Sequence, residues 1–167
     1  QVTPVDLGDV CLNYDKAWFE ERSLAPPVSL DDLSKPAYRG LLVVPNPATS
    51  SPGLAFLLAS VARFGTSGFV DWWKSLRSNA VTVVDSWDDA YYNQFTQGGS
   101  GGKHPIVVSY GSSPPATVIY ATEPKPTAPT TASVEATCFR QVEFAGILEG
   151  SRHVAAAQRL IDFLVSA

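Results

Sequence analysis

Short apolar runs alternate along this chain with longer stretches whose apolar positions recur every three or four residues. Residues 9–14 alternate and carry enough β-favouring side chains to predict a strand. The runs 41–44, ending at Pro45, 81–84 and 106–110 are short and almost wholly apolar, as strands buried on both faces should be. Helical signals fall between them. Ser29 followed by Leu30, Asp31 and Asp32 has the form of an N-cap with acids in the first turn. Ser51-Pro52 predicts a second start, with Ser51 as cap and a helix running to about Phe64 before Gly65 stops it. A further helix over 67–78 carries Phe69, Trp72, Trp73 and Leu76 at helical spacing, and 85–95 predicts another. Gly98 to Gly102 is a flexible turn, Ser112-Ser113-Pro114 opens a helix, and 122–133, rich in Pro and Thr, predicts a loop. A long strand over 138–148 and an amphipathic helix over 152–165, with Leu160, Ile161, Phe163 and Leu164 for a core, complete the chain. There is no internal repeat.

Buried strands alternating with helices predict an α/β protein: a three-layer αβα unit around a mostly parallel central sheet. In such sheets ligands sit at the carboxyl ends of the strands, where the next loop opens a helix. Three places satisfy that rule, residues 46–53, 85–92 and 109–115, and each holds hydroxyl, acidic or aromatic side chains.

Composition narrows the class. A chain of 167 residues with 45% hydrophobic and 17% charged residues is one globular domain's worth. Its net charge of −4, without a lysine or arginine run, argues against nucleic acid or an anionic membrane as partner. The apolar stretch around 54–62 is shorter than the ~18–20 residues a bilayer span needs. The chain holds no methionine, and Gln1 has the character of a cut or processed end. Cys11 and Cys138, both in β-like runs, suit either a disulfide in an oxidising compartment or two buried thiols.

Each of the three places has a functional and a structural reading. In Asn46-Pro47-Ala48-Thr49-Ser50-Ser51-Pro52-Gly53, the hydroxyls of Thr49, Ser50 and Ser51 lie beside the free N–H groups of a helix start. That setting suits a phosphate or another polar group, although an ordinary cap needs only one of the three. In Ser86-Trp87-Asp88-Asp89-Ala90-Tyr91-Tyr92, an indole beside carboxylates suits an aromatic cation. A core tryptophan with dipole-complementing acids has the same pattern. In Ser109-Tyr110-Gly111-Ser112-Ser113-Pro114, one ring and several hydroxyls serve either a ligand or a capped helix.

His104 and His153 have no partner at metal-ligand spacing, and no Gly-x-Ser-x-Gly, phosphate-loop or dinucleotide fingerprint is present. Gln141 and Glu143 share one face of a strand, where a paired carboxylate is expected before a general base. No catalytic set, metal or cofactor is predicted.

Together these motifs resemble the thiamine-binding proteins of ABC transporters, within the type II periplasmic-binding fold. The resemblance is carried by residues 7–16 (Leu-Gly-Asp-Val-Cys-Leu-Asn-Tyr-Asp-Lys), 46–53, Trp87-Asp88-Asp89-Ala90-Tyr91, Val108 to Pro114, and 141–145. The Asn-Tyr-Asp-Lys and Asn-Pro-x-Thr-Ser elements are shared with iron(III)- and polyamine-type binding proteins. The Trp-x-x-Ala-Tyr and Ser-Tyr-x-x-Ser-Pro elements are more particular to the thiamine branch. The resemblance implies a non-enzymatic, monomeric, extracytoplasmic protein, periplasmic or on the cell surface, that hands thiamine or a thiamine phosphate to an ABC permease.

It also implies two lobes, of which residues 1–167 would be one. Strands near 8–14 and 138–148 would run to and from the hinge, and helix 151–167 would pack with the other lobe. Trp87 and Tyr110 would contact the thiamine rings, and Thr49, Ser50 and Ser51 the hydroxyethyl or phosphate end. Tyr91, Ser112 and Ser113 would be further contacts, and Cys11–Cys138 would bridge the hinge strands. The chain has Pro115-Ala116 just after the Ser-Pro, where members of the family it resembles often carry an aromatic that contacts the ligand. A binder of ferric ion, polyamine or phosphonate, or a thiamine-degrading transferase with a free cysteine, are the alternatives.

Overall fold

The computed structural model describes residues 2–166. These divide into two compact units, 9–139 and a smaller one of 2–8 with 140–166. Strand β1 (Val2–Asp15) leads into helix α1 (Lys16–Glu21), followed by two 3₁₀ turns, Leu30–Ser34 and Pro36–Tyr38. Then come β2 (Leu42–Pro45), α2 (Ser51–Ser78), β3 (Thr82–Val84), a π turn (Asp89–Gln94), β4 (Ile106–Tyr110), α3 (Ser113–Ile119), β5 (Thr131–Gly146) and α4 (Val154–Leu164). The sheet order is β3-β2-β4-β1-β5. Strand β2 lies parallel to both β3 and β4, and β1 runs antiparallel to β4, with Val10 opposite Tyr110 and Tyr14 opposite Ile106.

Both faces of the larger unit's sheet are covered, and side-chain parity decides which residue goes where. Leu42, Val44, Ile106 and Val108 pack with Ala55, Phe56, Ala59, Trp72 and Leu76 of α2. Their neighbours in the strands, Val43 and Val107, point the other way and pack with Ala90, Tyr91 and Phe95. Ser109 shares the parity of Val107, so its side chain belongs to this second face.

Several expectations are sharpened. The cap of α2 is Ser50, which is extended (φ −139, ψ 127), and Ser51 is already helical. The two helices expected around Gly65 run as one element with a kink, where Gly65 adopts φ 71, ψ 168, a region essentially reserved for glycine. End to end, this 28-residue element is long and apolar enough to pass for a membrane span, contrary to the expectation that no stretch would be. The kink explains why it serves as core instead: 14 helical residues before Gly65 reach only about 21 Å, short of the ~30 Å hydrocarbon layer. The residues expected as a helix over 85–95 form a π turn at 89–94, marked by the i→i+5 bond from Phe95 N–H to the Ala90 carbonyl at 3.0 Å. Strand β5 begins inside the expected loop, at Thr131.

The Asn-Tyr-Asp-Lys element is a set of internal anchors. Buried Asn13 donates from Nδ2 to the Tyr110 carbonyl (3.1 Å), holding the end of β4. Asp15 caps α1 through the Trp18 N–H, and its other oxygen accepts from Thr96 Oγ1 (2.6 Å) and Gln97 Nε2 (2.9 Å). Cys11 and Cys138 are joined in a disulfide with Cα atoms 4.1 Å apart. Beside it, the Leu12 N–H donates to Thr137 Oγ1 at 3.0 Å.

Candidate functional site

Because β3, β2 and β4 are adjacent and parallel, their carboxyl ends form one rim, and the loops at 46–50, 85–88 and 111–112 leave it side by side. The loops are stitched together by polar contacts. The Asn46 N–H donates to the Val84 carbonyl (2.7 Å) and Thr49 Oγ1 to the Asp85 carbonyl (2.6 Å). The Trp87 indole N–H donates to Ser109 Oγ at 2.9 Å, and Ser109 Oγ lies 2.8 Å from Ser113 Oγ. The Tyr110 N–H also donates to Ser113 Oγ, at 3.3 Å.

Four rings gather on this rim. Trp87 stacks on Tyr91, with centroids 5.0 Å apart and planes 18° from parallel. Tyr92 meets Trp87 edge-on at 5.5 Å, and Tyr110 lies 6.0 Å away, tilted by 58°. The π turn accounts for the first two contacts. Its wide turn brings residues four and five positions past Trp87 back against the indole. Tyr91 is the buried member (9% exposed), and burial pushes its phenol above the ordinary tyrosine range, with Tyr92 adding to the shift. Tyr92 is 48% exposed.

Of the residues predicted from sequence, the structure therefore brings Trp87, Tyr91, Tyr110 and Ser113 into one cluster. Ser113 is buried and acts through its bonds to Ser109 and Tyr110. Ser112 is exposed at the start of α3, and its side chain makes no capping bond there. Thr49, Ser50 and Ser51 line a separate hollow of about 250 Å³ at the start of α2. Here Ala48 N–H bonds the Asn46 side chain at 3.0 Å. Gly53 sets how close the helix comes: a Cβ would collide with the Pro45 carbonyl and stand 2.9 Å from that of Asn46. Three residues not singled out from sequence belong to the site, namely Ser109, Tyr92 and Asp85, whose carboxylate accepts from Asn46 Nδ2 at 3.4 Å. Strand parity was the available signal for Ser109. Among the described residues no group of three His, Cys, Asp or Glu side chains is arranged to hold a metal ion.

The arrangement can hold a flat ring against aromatic faces at one end and a polar group at the helix start at the other. Comparison with known proteins agrees with a binding role. The family of bacterial extracellular solute-binding proteins matches over residues 1–167. The thiamine-binding periplasmic protein of Salmonella typhimurium is 30% identical over 163 residues, covering 98% of this chain and 46% of that one. The Escherichia coli protein of the same name has the same identity and coverage. Among solved structures, a periplasmic thiamin binding protein superposes with a TM-score of 0.79 at 28% identity, covering 99% of this chain and 48% of the other. The chain thus spans about half the length of the relatives it matches.

Proposed function

The chain belongs to the bacterial extracellular solute-binding proteins, and from that premise we propose that it is one lobe of the binding component of an ABC importer for thiamine or its phosphates. The observation that carries the reading is the ring cluster of Trp87, Tyr91, Tyr92 and Tyr110 at the carboxyl rim of the sheet. Aromatic faces attract a flat cation by ~0.5–2 kcal/mol per contact, more when water is excluded, and thiamine is such a cation. Asp85 and Asp88, exposed in the same loop, add long-range attraction. Thr49 to Ser51, tied to that loop through Asp85, offer hydroxyls and helix N–H groups to a hydroxyethyl or phosphate end. The second lobe closes over the ligand and excludes water, and the closed form is what the permease engages. The extracellular family and the Cys11–Cys138 disulfide agree with an extracytoplasmic setting.

Two alternatives fare worse. A ferric site on Tyr91-Tyr92 needs further anionic donors beside the two phenols, and among the described residues no group of three His, Cys, Asp or Glu side chains is arranged to hold a metal ion. A thiamine-degrading transferase needs a free thiol, and both cysteines of the chain are bonded to each other.

Isothermal titration of the full-length protein and of residues 1–167 against thiamine, thiamine phosphates, spermidine and ferric citrate tests the proposal. Tight binding of thiamine compounds by the full-length protein, and much weaker binding by the 167-residue lobe, are expected. Equal affinity in the two would rule out a half-site, and preference for spermidine or iron would rule out the ligand.

A further inference from the structure

Beside Trp87 the rim opens into a hollow of about 230 Å³ between the π turn and α3. Tyr92, Tyr120, Ala116 and Thr117 are among the residues that line it. Tyr120 follows Ala116 by one helical turn, its N–H bonded to the Ala116 carbonyl at 3.0 Å, so both lie on the same side of α3. Ala116 brings only a methyl group to the lining, and Tyr120 is 84% exposed. Tyr92 is held in place from the other side by edge contacts to Trp87 and Tyr91 at 5.5 and 5.3 Å.

We propose that Tyr92, Tyr120 and Ala116 determine which ligand is accepted, by forming a pocket for the one aromatic ring that lies farthest from the ligand's hydroxyethyl or phosphate end. For thiamine this is the aminopyrimidine. The inference rests on the thiamine reading and adds residues to it.

Size and chemistry select the occupant. The volume falls below the ~300–1,000 Å³ of sites that enclose a whole small ligand, which suits one ring of a ligand better than the whole of it. Every lining residue is uncharged. Its two aliphatic hydroxyls are already committed: Thr117 Oγ1 donates to the Pro114 carbonyl at 2.7 Å, and Ser113 Oγ is tied to Ser109. A phosphate placed here would meet no cation, and neutral phenols would replace only part of its water. A flat heteroaromatic ring loses little and gains contact with the tyrosine rings and the indole that line the hollow. The phosphate end is left to the helix start at Thr49 to Ser51.

The test uses the full-length protein with two probes, thiamine and its thiazolium half alone, titrated against wild type, Ala116→Leu, Tyr120→Ala, Tyr120→Phe and Trp87→Ala. Filling the pocket with A116L, or removing its wall with Y120A, should weaken thiamine by about three- to tenfold, the worth of one aromatic contact. Both should leave the thiazolium fragment within about twofold of wild type, and Y120F should behave as wild type. Because Tyr120 is exposed, unchanged melting temperatures are expected for its variants. Thiamine affinity unaffected by A116L and Y120A, with W87A still weakening it, would overturn the pocket and leave the thiamine site standing. Thiamine affinity unaffected by W87A would overturn both.

Discussion

Ser109→Ala is the substitution that most directly examines how the site is held together. Ser109 is fully buried, and its hydroxyl accepts from the Trp87 indole at 2.9 Å and pairs with Ser113 Oγ at 2.8 Å. Alanine removes both bonds and leaves two partners without a match, a half-buried indole N–H and the buried Ser113 hydroxyl. Each bond contributes about 0.5–1.5 kcal/mol net, and a stranded buried donor costs about 1–3 kcal/mol. The expected loss is about 2–3 kcal/mol, or a melting temperature lower by roughly 5–10 °C in a protein of this size. Urea denaturation followed by circular dichroism reads it directly. Trp87→Phe removes the same N–H from the other side, so a double-mutant cycle should return a coupling of about 1 kcal/mol. On the proposed function, the full-length protein's affinity for thiamine should also fall, because the indole is no longer fixed against Tyr91. A Ser109→Ala protein within about 0.5 kcal/mol of wild type, with no coupling to Trp87→Phe, would refute this account.

Three further outcomes follow from the fold. Replacing both cysteines, 127 positions apart, by alanine should cost about 4–5 kcal/mol on the chain-entropy argument, seen as a large drop in the denaturation midpoint; a loss under 1 kcal/mol would contradict it. Gly65→Ala forces a side chain into a backbone region that costs of order 1–3 kcal/mol, so thermal melting should reveal clear destabilisation, while Gly68→Ala, at ordinary φ, should not. Asp32 accepts from Lys35 and from the Val28 and Ser29 N–H groups at 2.9 and 3.1 Å, and the Lys35 bond, first among these, holds its carboxyl below the usual range. Its contribution is complete above the ordinary carboxylate pKa of about 4 and disappears as pH falls through the lowered value. Asp32→Asn should therefore lose about 1–2 kcal/mol at pH 7 and converge on wild type in acid; a difference independent of pH would refute the assignment.

Much of the sheet was legible because burial on both faces leaves a mark in the sequence. The apolar runs at 41–44, 81–84 and 106–110 match β2, β3 and β4 within a residue at either end. The rim could be located from the same runs, since parallel strands must send their following loops to one edge. What the sequence could not reveal was local geometry within one turn. Asp88 to Gln94 suits an α-helix as well as a π turn, because both put apolar residues on one side over so short a span. The roles of Tyr91 and Tyr92 depend on that difference: one is buried beneath the indole and the other half-exposed beside it. Ser50 and Ser51 are equally good caps by residue type, and only backbone conformation separates them. Ser109 was legible in principle, since its alternation with Val107 and Val108 assigns its face. The extent of β1 and β5 was not, because Thr3-Pro4-Val5 and Thr131-Ala132-Ser133 lack a strong apolar run.

The π turn makes the proposed ligand-binding loop sensitive to its length more than to its composition. An α turn over the same residues would be shorter by one, so deleting a single position before Tyr92 would draw the segment into a tighter winding and change which side chains stand against the indole. Substitutions there change one side chain, whereas an indel rearranges the whole aromatic wall at once. Selection for a new solute could thus act through gain or loss of one codon in this segment, with the sheet beneath it untouched.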